Sequence, residues 1–423
     1  MKKLIIILVG LFLYSSVYAM NWVPLNLGTT SNVKKVVFIN TTTGYAICSP
    51  GAIVKTTNAG ASWTTLFTSS TEGLFGITFV DANTGYAVGT SGLMLKTTNA
   101  GANWTISYPG SDQLFDIYFL NAQTGWIVGD FSTCLKTTNS GVNWTMQQVP
   151  LSNGLLVSVT FNNGKGFIGV SISGTNLLTT TNGGTNWVDN KIRAGGISSL
   201  DISFVGNFGV TVGSENLVNN VVRPLIFMTS NNGQNWVEHL VADKKAFLAS
   251  VDICQSNPNI VFAVGNYYND SVNGNKGLIM HSTNGGVSWI SEVWNSNQIL
   301  TGVTTTSTDV YIVGDGGFIY KAALPVGINQ IGSTVPDKYI LSQNYPNPFN
   351  PVTNIEFSIP KNGAVKLTVF DISGKEVAIL VNQVLSIGKY KVDYNASNLS
   401  SGTYFYRLQA NDFVSTKKMV LIK

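Results

Sequence analysis

Three aspartates mark the place where chemistry would begin. Asp116, Asp201 and Asp252 each stand early in an apolar run that opens a repeat unit. Superposing those runs brings Lys35, Gly76, Asp116, Ser158, Asp201, Asp252 and Gly302 to about the same position. Carboxylates gathered at one spot raise one another's pKa and can hold a cation or a polar ligand; as an acid and base pair they hydrolyse glycosidic bonds. They also serve a plainer purpose, accepting hydrogen bonds from buried backbone amides or channel water. Lys35 adds one cation to the set. Tyr267 and Tyr268 add two aromatic rings from an insertion in one of the two longest repeats, and Asp130 and Asp315 lie in the equivalent loops of other repeats.

The remaining chemical inventory is thin. There is no Gly-rich phosphate loop, nucleophile elbow or Cys–His pair, so no cofactor is expected. Cys48, Cys134 and Cys254 fall in different repeats, and His239 and His281 are the only histidines, which leaves no ligand set for a metal. Buried free thiols are the expectation for these cysteines. From Asp337 onward there are ten Lys/Arg against six Asp/Glu, and fifteen of each precede it. Without Lys2 and Lys3 the first part carries a net charge near −2, so the pI of 8.7 comes from the C-terminal part. That balance offers no positive field for nucleic acid.

The elements that must position these residues are set by a repeat. The segment K-T-T-N-A-G-A-S-W closes at Trp63, and near copies close at Trp104, Trp144, Trp187, Trp236 and Trp289, at steps of 41, 40, 43, 49 and 53 residues. One unit, Leu114 to Gln147, reads as four short strands: the apolar run from Leu114 to Leu120, Trp126 to Gly129, Cys134 to Thr138 and Asn143 to Met146. A fixed period of four-stranded units predicts an all-β fold, a β-propeller. Its second strand appears seven times, at Tyr45, Tyr86, Trp126, Phe167, Gly209, Phe262 and Tyr311. The last unit lacks a fourth strand, and the orphan segment around Trp22 stands 41 residues before Trp63. Seven blades closed by the N-terminal strand are therefore expected, which leaves no blade with an unpaired edge. First strands would line the axial channel. Their starts share one face with the loops between second and third strands, and the Trp-closed turns lie on the opposite face.

Those turns have the form [S/T]-x-[D/N]-x-G-x-x-W. Thr56, Asn58, Gly60 and Trp63 make the first, followed by Asn99, Gly101 and Trp104; Asn139, Gly141 and Trp144; Asn182, Gly184 and Trp187; then Trp236; and Asn284, Gly286 and Trp289. The motif resembles the Asp-box, with Asn in the acidic place, and the repeat over about residues 20–323 is similar to the photosystem II assembly-factor type of propeller. Thr and Asn side chains at these positions suit turn hydrogen bonding, so the boxes are read as structural. Sialidases, the best-known Asp-box enzymes, use three arginines to clamp a carboxylate. This propeller has only Arg193 and Arg223, which disfavours that activity.

Both chain ends speak of export. Lys2 and Lys3, an apolar run from Leu4 to Tyr14 and the small-x-small pattern Val17-Tyr-Ala19 read as a secretory signal peptide over 1–19. Residues 324–336, with Pro325, Gly327 and Pro336, read as a linker, and 337–423 as a small Ig-like β-sandwich. The run Asn344, Tyr345, Pro346, Asn347, Pro348, Phe349, Asn350, the segment around Gly402 and the terminal Lys417-Lys418-Met-Val-Leu resemble the type A C-terminal sorting domain of the Bacteroidetes type IX secretion system. The resemblance implies passage across the outer membrane with that machinery as partner, then release or surface attachment. The expected function is a secreted or cell-surface, non-catalytic binding propeller for a glycan or protein, acting as a monomer. The competing expectation is a glycan-active hydrolase using a carboxylate pair at the channel mouth, drawn from Asp116, Asp201 and Asp252.

Overall fold

The structure is a computed structural model. It describes residues 20–423 other than 172–176, 194–197, 217–221, 240, 242–244, 268–275, 295–297, 326–327, 333–334, 386 and 397–398. Among the described residues, the chain up to Ala323 makes seven four-stranded sheets, each one blade. The first holds Val33–Phe38, Gly44–Cys48, Gly51–Thr56 and Thr64–Ser69 in spatial order. The last holds Leu300–Thr305, Asp309–Gly314 and Ile319–Ala323, with Val23–Pro24 as its outermost strand. Val23 pairs with Lys321 and Pro24 with Tyr320, so the N-terminal segment supplies the strand that the last repeat lacks. Innermost strands touch in order around the axis, and Val33–Phe38 contacts both Leu74–Phe79 and Leu300–Thr305, which closes the circle.

Blades are joined by one recurring arrangement of aromatic side chains. Phe79 of the second blade stacks on Tyr45 of the first at 3.9 Å and meets Trp104 edge-on at 6.4 Å. Its other face lies on Gly85, its cross-strand partner, where a Cβ would come within 2.5 Å of the phenyl carbons. The same set recurs as Tyr86, Phe119, Trp144 and Gly125, as Trp126, Phe161, Trp187 and Gly166, and as Tyr311, Phe38, Trp63 and Gly44. Glycine precedes Tyr45, Tyr86, Trp126 and Phe167 in the second strands of the first four blades because the phenyl ring needs that space. Burial of one such ring contributes roughly 2–3 kcal/mol, so these interfaces dominate the core.

The Trp-closed turns hold themselves. The Thr56 hydroxyl oxygen accepts from the backbone N–H groups of Asn58 and Gly60, at 3.2 and 2.9 Å, and the Asn58 side-chain oxygen accepts from Ser62 N–H. Gly60 takes φ +86°, which suits glycine. The lysine of the first three motifs reaches the next blade. Lys55 lies over the Tyr45 ring and donates to the Ala100 carbonyl, and Lys96 does the same over Tyr86 to Ser140. All three cysteines are buried free thiols, and burial pushes Cys48 up to about 11 and Cys134 up to about 12.

The C-terminal part is a sandwich of two four-stranded sheets around one apolar core. One sheet contains Ile328–Gly332, which pairs antiparallel with Gly388–Asn395. That strand lies inside the stretch read as a linker; the flanking Pro and Gly punctuate a strand as readily as a loop. Asn344 is buried, takes a hydrogen bond from Gln343 and donates to Pro346 O and Thr353 Oγ1, whereas Tyr345 is exposed. Phe349 is buried in the sandwich core and its backbone bridges to Val420 and Ile422. Lys417 and Lys418 sit in Phe413–Leu421, at the edge of the second sheet, where lysines deter edge-to-edge pairing. Gly402 opens the neighbouring strand opposite Leu421.

The glycine rule makes a prediction. Gly125→Ala would drive a methyl to 2.8 Å from the Phe119 ring. It should cost about 1–3 kcal/mol, the usual penalty for overpacking a filled site. Gly164, which faces open space at φ +78°, is the control for backbone strain alone. Urea denaturation of both Ala variants separates the two effects: a Gly125→Ala variant as stable as wild type would refute the packing account.

Candidate functional site

Every innermost strand carries a bulge at one place. The register shifts between Val33 and Lys35, Leu74 and Gly76, Leu114 and Asp116, Leu156 and Ser158, Ser199 and Asp201, Leu248 and Ser250, and Leu300 and Gly302. A bulge re-aims the side chain that follows it, and here it places one residue per blade on the axial channel. Six of the seven aligned residues are the expected ones. In the sixth blade the aligned residue is Ser250, and Asp252 stands two residues further along. The long strand Ala246–Ile253 has no Gly or Asn within it to pin the register. A slip of two preserves the face, so Asp252 still points to the channel.

Each acid binds the blade that follows its own. Asp116 accepts from Val159 N–H at 3.1 Å, and Asp201 from Val251 N–H at 3.0 Å and the Ser250 hydroxyl at 2.8 Å. Asp252 accepts from both the N–H and the hydroxyl of Thr305, at 2.7 and 2.8 Å, and from the Ser203 hydroxyl at 3.3 Å. Lys35 reaches past the second blade to Asp116 at 2.8 Å. It can do so because Gly76 stands between them, where a Cβ would lie 2.9 Å from the Asp116 Cα. The plainer of the two roles open to these acids, satisfying backbone amides, is therefore filled by all three. Lys35 keeps 38% of its side-chain surface and Asp116 11%, so water enters the channel.

The charges are unequal. Burial pulls the Lys35 ammonium down, but Asp116, Asp201 and Asp252 together outweigh it and raise its pKa. Burial raises Asp201 against the opposing pull of Lys35 and its amide donors, and Asp116 adds to the rise. Burial also pushes Asp252 up to about 6, with Asp201 contributing and the Thr305 bonds opposing.

The other expected residues are dispersed. Tyr267 ends the strand Val261–Tyr267 and packs, partly buried, against the core between the fifth and sixth blades. Tyr268 lies outside the described residues. The side chains of both propeller arginines meet glutamates: Arg193 contacts Glu215 and Glu238, and Arg223 contacts the same pair at 2.9 and 3.3 Å. Two cations and two anions cancel, so this cluster presents no bare guanidinium to an anionic ligand.

One residue on this face is not singled out by sequence reading. In the turn joining the second and third strands, the second blade has Ser91-Gly92 and the last has Gly316-Gly317, both at positive φ. The third blade has Phe131 at φ 50° and Ser132 at φ 62° in that turn. A bulky residue in the left-handed region costs about 1–2 kcal/mol, and Phe131 is also 62% exposed. The neighbouring Asp130 N–H bonds to Gln113 O, which places the turn beside the start of the innermost strand. Tyr108, 56% exposed, is on the same face with its hydroxyl on Glu72 at 2.9 Å. The signal available in the sequence was a Phe where the second and last repeats have Ser91 and Gly316.

The channel bonds carry a pH test. An acid whose folded pKa lies above its unfolded value destabilises the fold while ionised, and stability returns as pH falls through about 6. Asp252→Asn should match or exceed wild type at pH 7, by up to about 3 kcal/mol, and lose that advantage by pH 4.5. Asp252→Ala should cost about 1–3 kcal/mol at both pH values, because Thr305 loses its acceptor. Thermal melts at the two pH values check both outcomes; an Asn variant weaker than wild type at pH 7 would refute the sign.

Comparisons with known proteins fit this geometry. The family model described as photosynthesis system II assembly factor YCF48 matches residues 14–108 and 105–268, and the one described as secretion system C-terminal sorting domain matches 343–423. The structure of YCF48 bound to D1 peptide is similar at TM-score 0.55 and 18% identity, covering 72% of this chain and 97% of that one. YCF48 from Cyanidioschyzon merolae gives 0.53 and 18%, with 72% and 98% covered. The GH74 xyloglucanase from Xanthomonas campestris gives 0.57 and 12%, with 80% and 60% covered, so the likeness there is one of fold. No curated protein matches. With the YCF48 family model spanning more than half of its length, this chain belongs to the photosynthesis system II assembly factor YCF48 family, and it carries a type IX secretion sorting domain at its C-terminal end.

Proposed function

We infer that the propeller is a secreted, non-catalytic binding module, and that its ligand meets the face bearing the innermost-strand starts. One observation carries the reading: Asp116, Asp201 and Asp252, the acids a hydrolase would use, are engaged in bonds to neighbouring strands. A glycosidase pair instead needs one free acid and one free base or nucleophile beside the scissile bond. The exposed rings of Phe131 and Tyr108, with Glu72 and Asp130 alongside, favour a neutral glycan. An aromatic face covers the C–H face of a sugar, and carboxylates accept its hydroxyls. The paired arginines offer nothing to an anionic sugar. A related propeller, YCF48, is bound to a peptide in its structure, so a protein ligand is the main competing outcome.

The sorting domain supports delivery outside the cell, and the signal peptide over 1–19 is the proposed route into the periplasm. Screening the mature full chain against neutral and charged glycans and cell-surface proteins should return a neutral glycan without release of reducing ends. Phe131→Gly should weaken that binding at least tenfold while leaving the fold as stable as wild type or more so, since it removes the left-handed Phe. Reducing-end release in proportion to enzyme would support the hydrolase reading; a protein hit with no glycan hit would replace the ligand class. For export, a chain truncated before Leu341 should accumulate in the periplasm, and its normal appearance at the surface or in the medium would overturn the assignment.

A further inference from the structure

The strand that closes the propeller begins close to Met20, and there the chain meets a carboxylate that has no counter-ion among the described residues. Glu292 lies in Ile290–Val293, the outer strand of the sixth blade. One of its oxygens accepts from the Met20 backbone nitrogen at 3.0 Å, the other from the Trp22 indole at 3.2 Å. Met20, Trp22 and Trp294 pack against the core of the last two blades, and Trp22 meets Trp294 edge-on at 6.2 Å. Among the described residues, Glu292 has these two donors and no Lys, Arg or His in an ion pair. A partly buried carboxylate held only by neutral donors is a costly arrangement.

The sequence offers a remedy. Val17-Tyr-Ala19 is the small-x-small pattern that precedes a signal-peptide cut. We propose that cleavage between Ala19 and Met20 creates the missing cation, and that the new α-ammonium of Met20 pairs with Glu292 and latches the closing strand. The inference rests on reading residues 1–19 as a signal peptide. In the cut, water adds across the peptide bond: Ala19 leaves with a carboxylate, and the Met20 nitrogen becomes an amine, protonated below about pH 8. One neutral amide donor is replaced by a charged group with three. Val23–Pro24 follows three residues later and is the edge strand of the last blade, so the ion pair fastens the segment on which closure depends. Until the leader is removed, Glu292 holds only the Met20 amide and the Trp22 indole. Full stability is thereby deferred until the chain has crossed the inner membrane.

The test uses the secreted full chain in four forms: wild type, Glu292→Gln, a chain with Gly-Ser inserted between Ala19 and Met20, and the combination. N-terminal sequencing should find wild type beginning at Met20. Each single change should lower Tm by about 2–4 °C, and the combination should lower it no further, because both remove one ion pair. The difference between wild type and the inserted chain should shrink as pH rises through the folded pKa of the α-ammonium, above 8, since a cation with an acidic partner holds its proton more tightly. A mature chain that begins elsewhere overturns the signal reading and the latch together. A chain that begins at Met20, with additive losses or none, overturns the latch and leaves the cut intact. Should Glu292→Gln fail to fold, the pH comparison of wild type with the inserted chain decides the matter alone, and a gap constant from pH 7 to 10 rejects it.

Discussion

A phenyl ring pressed on a bare backbone carbon is the contact on which this propeller depends. Phe38, Phe79, Phe119, Phe161 and Phe204 each pair across the sheet with a glycine, Gly44, Gly85, Gly125, Gly166 and Gly209. The ring fills the space that a side chain would take and presents its other face to the preceding blade. The spacing of blades, the aim of each innermost strand and the contents of the channel follow from that one close approach. Where the phenyl ring is missing, the glycine is missing too: Ile253 pairs with Val261, and Thr305 with Val310. The two positions change together because they fill one volume.

The channel shows why acids in a propeller are poor guides to catalysis. Inner strands of neighbouring blades do not share a ladder, so some of their N–H groups face a gap that only side chains can bridge. Asp116, Asp201 and Asp252 bridge it. The cost is a buried negative excess, felt as a raised Asp252 and compensated in part by Lys35. An arrangement that looks like a reaction centre in sequence is bonded in the structure to the strands of neighbouring blades.

Much of this was legible from the residues. The period set by Trp63, Trp104 and Trp144 gave the sheets, and the orphan Trp22 gave the closing strand, because repeat chemistry is local and copied. The aligned channel positions were found in six blades out of seven by pattern alone. The sixth blade failed because the bulge at Leu248 and Ser250 is an event of register, with no residue type that announces it. Phe131 escaped for a related reason. Its meaning lies in a backbone angle, and only comparison with Gly316 in the same turn reveals it. The strand Ile328–Gly332 was hidden by the Pro and Gly around it, which mark the limits of elements without saying what lies between.

The closing blade has one more consequence. Its outer strand comes from the N-terminal end, so it has no Trp-closed turn for the sixth blade to grip. At the lysine position of that blade stands His281, buried beneath Phe262 at 5.4 Å, held neutral to about pH 4 by burial and reaching no carbonyl. Thr305 occupies the place of the phenyl ring. The boundary between the sixth and seventh blades thus lacks the aromatic stack and the cationic tether, and so does the boundary before it, where Val210, Met228 and Ile253 stand at those positions. The sixth and seventh blades are joined instead by Trp294, which meets Trp22, Phe318 and Tyr320 edge-on. The chain leaves the propeller from Ala323, in the strand next to Val23–Pro24, so both ends of the propeller are anchored at this one aromatic cluster.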